Sequence, residues 1–170
     1  MMQAGRILYA VHEGTYVLKL EGEVRVPLCA SLDVFLERMF MDDHLQGVFI
    51  DLSSSSMIDS TTLGLLAKIS VFLQKHHKDK AVIFSTQPDV TRVLRSMGFE
   101  QVFNLLEKVA ANVGQGLSEV PEVSTSESEM MIKVIDAHRT LMALNEQNVK
   151  TFSNLVETLE QGHGPCHQDE

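Results

Sequence analysis

The alternation of strand-like and helix-like segments along the first two thirds of the chain constrains its fold most. Two short β-rich segments, "RILYAV" and "TYVLKL", flank "HEG" and are typical of a hairpin. After them, helical stripes of apolar residues alternate with short apolar strands such as "GVFIDL" and "AVIFST". The order β-β-α-β-α-β-α-β-α predicts an α/β fold, with a mixed, mostly parallel sheet covered by helices.

Proline and glycine mark the ends of several predicted helices. Pro27 opens the helix carried by "LCASLDVFLERMF", Pro88 opens "PDVTRVLRSM", and Gly98 closes the latter. The segment "FEQVFNLL" supplies a last strand, and "EKVAANVG" is typical of a short final helix. We therefore expect one folded domain over residues 1–113.

The composition changes after this domain. Residues 114–126 contain Gly, Pro and Ser with little apolar surface to bury, and they predict a linker. Residues 127–161 contain neither Pro nor Gly, and their pattern predicts one long amphipathic helix. Residues 162–170 are predicted to form a flexible polar tail.

A heptad-like seam runs along the long C-terminal helix. Its positions recur in steps of four and three, and two of them are polar. The seam comprises Met131, Ile135, His138, Met142, Asn145, Val149, Phe152, Val156 and Leu159. No lysine and glycine follow His138 as they follow phosphotransfer histidines, so we interpret it as a polar residue that fixes the register of the seam.

Such a helix is too long for the domain that carries it. It would extend about 50 Å, against roughly 30 Å for the width of a small domain. It must therefore overhang, bend back at a kink, or find a partner. We favour self-association as a homodimer or capture by a partner protein. Folding back as two helices over an exposed sheet face is the alternative.

Charge and motif content exclude several classes of function. The formal net charge is -9, and no basic stripe is present, which argues against nucleic-acid binding. The chain contains no P-loop lysine motif, GxSxG elbow, HExxH motif or glycine fingerprint after a strand, so we predict neither an enzyme nor a cofactor. His163, Cys166 and His167 do not provide the four well-spaced ligands of a structural metal site, so no metal is predicted.

Cellular location follows from three further features of the sequence. No apolar run is long enough to cross a bilayer. The segment "MMQAGRILYAVHEG" lacks the apolar core and cleavage site of a signal peptide. Two cysteines, Cys29 and Cys166, do not make a disulfide framework. These features predict a protein of the reducing cytoplasm that does not associate with membranes.

The segment "IDSTTLGLL" places an unusual polar run at the entrance of an apolar helix. Asp59, Ser60, Thr61 and Thr62 stand in a row before "LGLLAKISVFL". Asp and Ser side chains cap helices because they accept hydrogen bonds from the first N–H groups. Capping by Asp59 or Ser60 accounts for one or two of these residues, but not for all four.

The polar run and its surroundings resemble the STAS domains of bacterial anti-sigma factor antagonists. The stretch "VFIDLSSSSMIDSTTLGLL" is similar to the family's signature, in which a buried strand leads through a polar loop to an Asp-Ser-Ser/Thr-Gly-Leu-Gly helix start. "LKLEGEV" is similar to the family's second strand, and "TRVLRSMGFEQVF" to its third helix and last strand. The resemblance covers roughly Arg6 to Gly114 and implies the STAS fold, followed here by the long C-terminal helix.

The resemblance also implies a phosphorylation switch. The serine directly after the aspartate accepts the phosphate in this family, which corresponds to Ser60, and the partner interface lies around Asp59, Ser60, Thr61 and Thr62. The implied partners are an anti-sigma factor that is also a serine kinase, and a PP2C-like phosphatase. The unphosphorylated form binds the anti-sigma factor and releases a sigma factor. Thr62 stands where the family usually has glycine, so Thr61 or Thr62 stays an alternative acceptor.

Two other functions stay open at this point. The first is a phosphorylation-independent STAS scaffold or oligomerisation module in a bacterial signalling complex, to which the Ser60 hydroxyl would not matter. The second is a small-ligand sensor, although no cluster of polar groups in the sequence points to one ligand.

Overall fold

The computed structural model describes residues 4–108 and 116–162. Within these ranges, seven strands form one mixed sheet, in the order β6-β5-β3-β2-β1-β7 with β4 paired to β2. The strands are β1 Arg6–His12, β2 Thr15–Val24, β3 Gly47–Asp51, β4 Ser55–Ile58, β5 Val82–Phe84, β6 Asn104–Leu106 and β7 Ser118–Glu119. The pairs β2–β3, β3–β5 and β5–β6 are parallel, and β1 pairs antiparallel with β2 and β7. The predicted α/β fold with a mixed, mostly parallel sheet is confirmed.

Six α-helices accompany the sheet within the described residues. They are α1 Cys29–Phe40, α2 Ser60–Lys75, α3 Pro88–Ser96, α4 Phe99–Val102, α5 Glu127–Leu144 and α6 Glu146–Gly162. Apolar side chains of the helices and of the central strands form one continuous core. Its fully buried members include Leu18 and Ile50 from the sheet, and Leu32 and Leu65 from the helices. Burial of these side chains supplies most of the drive to fold.

The predicted hairpin forms because its turn residues accept an unusual backbone conformation. His12 pairs with Thr15, and the two residues between them, Glu13 and Gly14, have φ angles of 51° and 83°. A two-residue turn with positive φ at both positions matches the twist of antiparallel strands. The "HEG" segment therefore fixes the register of β1 on β2.

The sequence predicts a strand for the segment "FEQVFNLL", but only its last part forms one. Gly98 adopts a φ of 81°, which turns the chain after α3, and the next residues form the short helix α4 before β6 begins. Phe99 and Phe103 lie four residues apart and stack with their ring centres 5.0 Å apart in the core. Residues four apart lie on the same face of a helix, so a helical turn lets both rings enter the core. Most of "EKVAANVG" lies outside the described residues.

The segment predicted as a linker is bound to the domain where the structure describes it, from residue 116 to residue 126. Its strand β7 pairs with the edge strand β1, and the Val120 N–H donates to the Ile7 carbonyl at 2.9 Å. Farther along, the Val123 N–H donates to Ser31 Oγ on α1 at 2.9 Å. These contacts direct the chain back across the domain toward α2.

The prediction of one continuous C-terminal helix is wrong, because the helix is interrupted at Asn145. Asn145 has an extended backbone, and its side-chain oxygen accepts from the Asn148 N–H at 2.8 Å. It therefore caps α6 instead of continuing α5. The two helices fold back as a hairpin, the C-terminal hairpin, residues 127–162. The alternative of two helices that fold back is the one observed, but the hairpin packs on α2 and not on an exposed sheet face.

Close contact between two small residues seats the C-terminal hairpin on α2. A Cβ atom placed on Gly64 would lie 2.2 Å from the carbonyl oxygen of Ala137, and Ala137 is fully buried. The distance between packed helices depends on the side chains at the contact, so the absence of a side chain at Gly64 lets the backbones approach.

Two polar side chains fix the far end of the hairpin. Asn148, which is buried, donates from Nδ2 to the carbonyls of Met97 and Leu141, at 2.9 Å and 2.8 Å. Asn145 Nδ2 donates to the same Met97 carbonyl at 3.2 Å. That carbonyl belongs to the C-terminal end of α3, where helix carbonyls lack partners within the helix. The asparagines therefore tie both helices of the hairpin to the domain.

A charged cluster joins α1, α2 and α5. Asp33 on α1 is buried and accepts from Lys133 Nζ at 2.5 Å and from Lys68 Nζ at 3.4 Å. Lys68 also pairs with Asp136. Burial alone would lower the pKa of Lys68, but the hydrogen bonds and charges of Asp136 and Asp33 outweigh it and raise that pKa. Lys68 therefore stays charged at neutral pH and holds α5 against α1 and α2.

Replacing Gly64 by alanine is expected to loosen the C-terminal hairpin. A helix interior normally gains about 0.5–1 kcal/mol from this change, but overpacking costs about 1–3 kcal/mol. Because the added methyl group meets backbone atoms of Ala137, we expect a net destabilisation of about 1 kcal/mol, measured by urea unfolding. Gly47→Ala is the control, since a Cβ atom at Gly47 meets nothing within 4 Å. Equal stability of Gly64→Ala and wild type would contradict the close contact.

Asn148→Ala should release the hairpin at its other end. The change removes the donor to two carbonyls and costs about 1–3 kcal/mol. Amide hydrogen exchange is expected to accelerate in α5 and α6 while the protection of β3 is retained. Asn154→Ala, at an exposed position on the same helix, is the matched control. Unchanged exchange in the Asn148 variant would show that the asparagine does not anchor the hairpin.

Candidate functional site

The site lies where β4 ends and α2 begins. The β4 strand pairs parallel with β2, and the Asp59 N–H donates to the Val24 carbonyl at 3.2 Å. Ser53, in the loop before β4, donates to Asp51 Oδ1 from both its N–H and its hydroxyl. Ser55, the first residue of β4, donates from Oγ to the Leu20 carbonyl on β2 at 2.5 Å. These bonds hold the start of α2 at the edge of the sheet.

Asp59 caps α2, as the sequence had indicated. Its Oδ1 atom accepts from the Thr62 N–H and from the Thr62 hydroxyl, both at 2.8 Å. The carboxylate is thus directed at the first turn of α2, where its Oδ1 binds Thr62. A negative charge at this position also meets the positive end of the helix dipole.

Thr61 and Thr62 face the interior. They are 3% and 0% exposed, respectively. The Thr62 hydroxyl lies 3.6 Å from the sulfur of Cys29, and burial raises the pKa of that thiol to about 12. Thr62 therefore fills space against α1. Either threonine would have to become exposed before a phosphate could be added to it.

Ser60 is half-buried and directed at the C-terminal hairpin. Its Oγ lies 2.8 Å from Nε2 of His138 on α5, and His138 is 2% exposed. The other ring nitrogen, Nδ1, lies 2.7 Å from the Val134 carbonyl. A carbonyl only accepts, so Nδ1 carries a proton. In the neutral ring Nε2 is then unprotonated, and the Ser60 hydroxyl donates to it.

The orientation of the His138 ring is fixed from a third side. Phe152 on α6 lies edge-on to the imidazole, with ring centres 5.1 Å apart. Both helices of the hairpin therefore contribute to the surroundings of Ser60. The pairing of Ser60 with His138 was not predicted, because 78 residues separate them and no local pattern connects them.

The predicted seam residues are divided between the core and the surface. Their burial follows the two separate helices and not one continuous stripe. Ile135, His138, Phe152 and Val156 are buried, Met131, Met142, Asn145 and Leu159 are half-buried, and Val149 is exposed. The seam is interrupted at Asn145, because α6 is a separate helix whose buried face does not continue that of α5. Asn followed by an acidic residue, here Glu146, is a start pattern of helices that would have revealed this break.

Two kinds of site are not found in the part of the chain that the structure describes. Over residues 4–108 and 116–162, no group of three His, Cys, Asp or Glu side chains is placed to hold a metal ion. His163, Cys166 and His167 lie outside those residues. In the same ranges, no helix combines the length and apolar character needed to cross a membrane.

Comparisons with known proteins agree with the fold. The model of the STAS domain family matches residues 6–115. An anti-sigma factor antagonist from Mycobacterium paratuberculosis is 21% identical and superposes with a TM-score of 0.52 over 62% of this chain and 88% of its own. The anti-sigma factor antagonist SpoIIAA in its unphosphorylated form is 15% identical, with a TM-score of 0.51 over 62% of this chain and 90% of its own.

A further structure describes the phosphorylated form of SpoIIAA, a Bacillus cell fate determinant. It is 15% identical, with a TM-score of 0.50 over 62% of this chain and 93% of its own. No curated protein matches the sequence. These solved structures show the fold, and the family model covers well over half of the chain, so the chain belongs to the STAS domain family.

Proposed function

We propose that this protein is a non-enzymatic anti-sigma factor antagonist that is switched off by phosphorylation at Ser60. In its unphosphorylated form it binds a kinase-type anti-sigma factor and so releases a sigma factor. The observation that carries this proposal is the placement of Ser60. It follows the capping aspartate of α2 and is half-buried, whereas Thr61 and Thr62 are buried.

The physical effect of the phosphate should fall on the partner and not on the fold. A phosphoserine carries about -1.5 to -2 charges at neutral pH. At a helix N-terminus such a charge is tolerated by its own chain. A partner whose contact is formed around a hydroxyl would have to bury an uncompensated anion. A loss of a few kcal/mol, roughly two or more decades in affinity, is typical of that situation.

An apolar surface beside Ser60 supports protein binding. Met57 on β4 and Val93 on α3 are 43% and 38% exposed, and they border a cavity of about 120 Å³ that Ile58, Leu63 and Val90 also line. Two of its lining residues, Ile58 and Leu63, flank Ser60 along the chain. A partner that reads the Ser60 hydroxyl would cover these side chains and gain from burying them.

The remaining parts of the proposal follow from the family. The kinase that modifies Ser60 would be the anti-sigma factor itself, a PP2C-like phosphatase would restore the hydroxyl, and the exchange would take place in the bacterial cytoplasm. The C-terminal hairpin borders Ser60 through His138. It would therefore contribute to the choice of partner, while its buried seam residues would be unavailable for a homodimer as long as the hairpin stays docked.

A phosphorylation-independent scaffold is the second candidate, and one contact favours it. Because the Ser60 hydroxyl donates to His138, this serine already has a structural role in holding α5. In a scaffold, Ser60 would only stabilise the docking of α5, and partner binding would not change when a charge is placed at position 60.

Phosphosite mapping on protein purified from its host separates the two candidates. We expect phosphate on Ser60 and none on Thr61 or Thr62, because the threonines are buried. A kinase-like anti-sigma factor is expected to co-purify with the unmodified form. Mass spectrometry measures both in one sample. An absence of phosphate from Ser60 under all growth conditions would favour the scaffold.

A charge at position 60 should act on binding with little effect on folding. We expect Ser60→Glu to bind the co-purifying anti-sigma factor at least tenfold more weakly than wild type, measured by calorimetry. Ser128→Glu is the matched control, since it adds the same charge at an exposed position in the first turn of another helix, α5, away from the cavity lined by Ile58, Leu63 and Val90. Equal affinities of Ser60→Glu and wild type would contradict the switch, provided that both unfold at similar urea concentrations.

A further inference from the structure

Ser60 and His138 have the geometry of a nucleophile and its base. The hydroxyl donates to Nε2 at 2.8 Å, and the Val134 carbonyl holds the proton of Nδ1 at 2.7 Å. An activated serine requires this arrangement: a base within hydrogen-bond reach, itself oriented by a third group. Here the third group is a backbone carbonyl one turn earlier on α5, so the helix itself selects the tautomer that accepts.

We propose that His138 is the general base for phosphorylation of Ser60. The C-terminal hairpin would then be part of the phosphorylation site. This inference rests on the proposed function, because it concerns the same serine. It goes beyond that function in assigning the removal of the hydroxyl proton to this chain and not to the kinase.

The transfer step can be written with all atoms accounted for. Ser60 Oγ attacks the γ-phosphorus of a nucleoside triphosphate held by the kinase, and the oxygen–phosphorus bond forms. The bond from that phosphorus to the bridging oxygen breaks, and the nucleoside diphosphate leaves with the electron pair. The hydroxyl proton moves to Nε2 of His138. No oxidation or reduction takes place.

The product of this step would be stabilised by the same residue. The ring of His138 would carry a positive charge directly beside the new phosphate, and charge-assisted hydrogen bonds of this kind are stronger than neutral ones. Asp59 is directed at Thr62, since its Oδ1 accepts from the Thr62 N–H and hydroxyl, and its negative charge would repel the phosphate. His138 therefore compensates a charge that the capping aspartate would otherwise oppose.

Burial distinguishes this pair from an ordinary surface contact. Phe152 lies against the ring of His138, which is 2% exposed, so bulk water has little access to it. Ser60 itself is half-buried, so the residue keeps part of its surface exposed while its hydroxyl is bonded to the ring. Docking of the hairpin alone does not require an acceptor nitrogen aimed at the hydroxyl.

A fluorophosphonate probe tests the proposal on the purified full-length protein without any kinase. The probe reacts with serines that a neighbouring base activates and releases fluoride. Peptide mass spectrometry should find Ser60 labelled much faster than the exposed Ser56 of the same molecule. General bases contribute about 10²- to 10⁴-fold. His138→Gln is therefore expected to slow the labelling of Ser60 by about 100-fold or more.

The chain offers a matched control for the histidine substitution. His76 lies at the end of α2, is exposed, and also places Nδ1 near the carbonyl four residues earlier, at 2.9 Å. His76→Gln should label at the wild-type rate. In addition, free imidazole should restore labelling to His138→Ala, which a purely structural role of the ring would not predict. The same pair of glutamine variants, expressed in the host, should differ in phosphate occupancy at Ser60.

The outcomes separate this inference from the proposed function. Labelling of Ser60 no faster than Ser56 in the wild type would overturn the inference even if the His138 variants failed to fold. Equal host phosphorylation of the His138→Gln and His76→Gln variants would also overturn it, while leaving the switch intact. Probe labelling that depends on His138, together with no phosphate on Ser60 in the host, would overturn both the switch and the assignment of His138 to phosphorylation.

Discussion

The close approach of α5 to α2 at Gly64 and Ala137 is the contact on which the rest of the arrangement depends. Without a side chain at Gly64, the two backbones meet at a distance that no other residue would permit. This approach places the His138 side chain, one residue after Ala137, within hydrogen-bond reach of Ser60. A wider separation of the helices would leave Ser60 as an ordinary residue at a helix start.

Polar groups give this interface its specificity. Apolar packing alone would let α5 slide along α2, whereas Asp33 fixes it through Lys133 and Lys68, and Asn148 fixes it through the Met97 carbonyl. Each of these groups is costly to bury without its partner. The hairpin therefore has one favourable position on the domain, and that position contains the pairing of Ser60 with His138.

The site is thus composite. The STAS domain supplies the capped helix start, with Asp59 engaged by Thr62 and the threonines turned inward, so that the serine remains half-buried. The C-terminal hairpin supplies the acceptor for its hydroxyl. Any protein that binds around Ser60 meets a border made of both parts. This arrangement connects the extra helices to the proposed partner exchange and gives them a role at the serine itself.

Local sequence patterns determine much of the fold. Alternating apolar segments, a two-residue turn at "HEG", the turn at Pro27 that leads into α1 and the helix start at Pro88 define the mixed sheet and its helices, because these patterns act within a few residues. The position of Ser60 after a capping aspartate could be predicted for the same reason. The break at Asn145 was missed although its capping pattern is local, since the heptad spacing on either side suggested a continuous helix.

What only the tertiary structure decided involves distant residues. Sequence spacing could not say that the hairpin docks on its own domain, that the segment after residue 116 pairs with β1, or that Thr62 is buried against Cys29. It could not pair Ser60 with a histidine 78 residues away. Such contacts depend on how helices pack in space, which rests on the summed fit of many side chains, whereas strands, turns and caps are determined by neighbours along the chain.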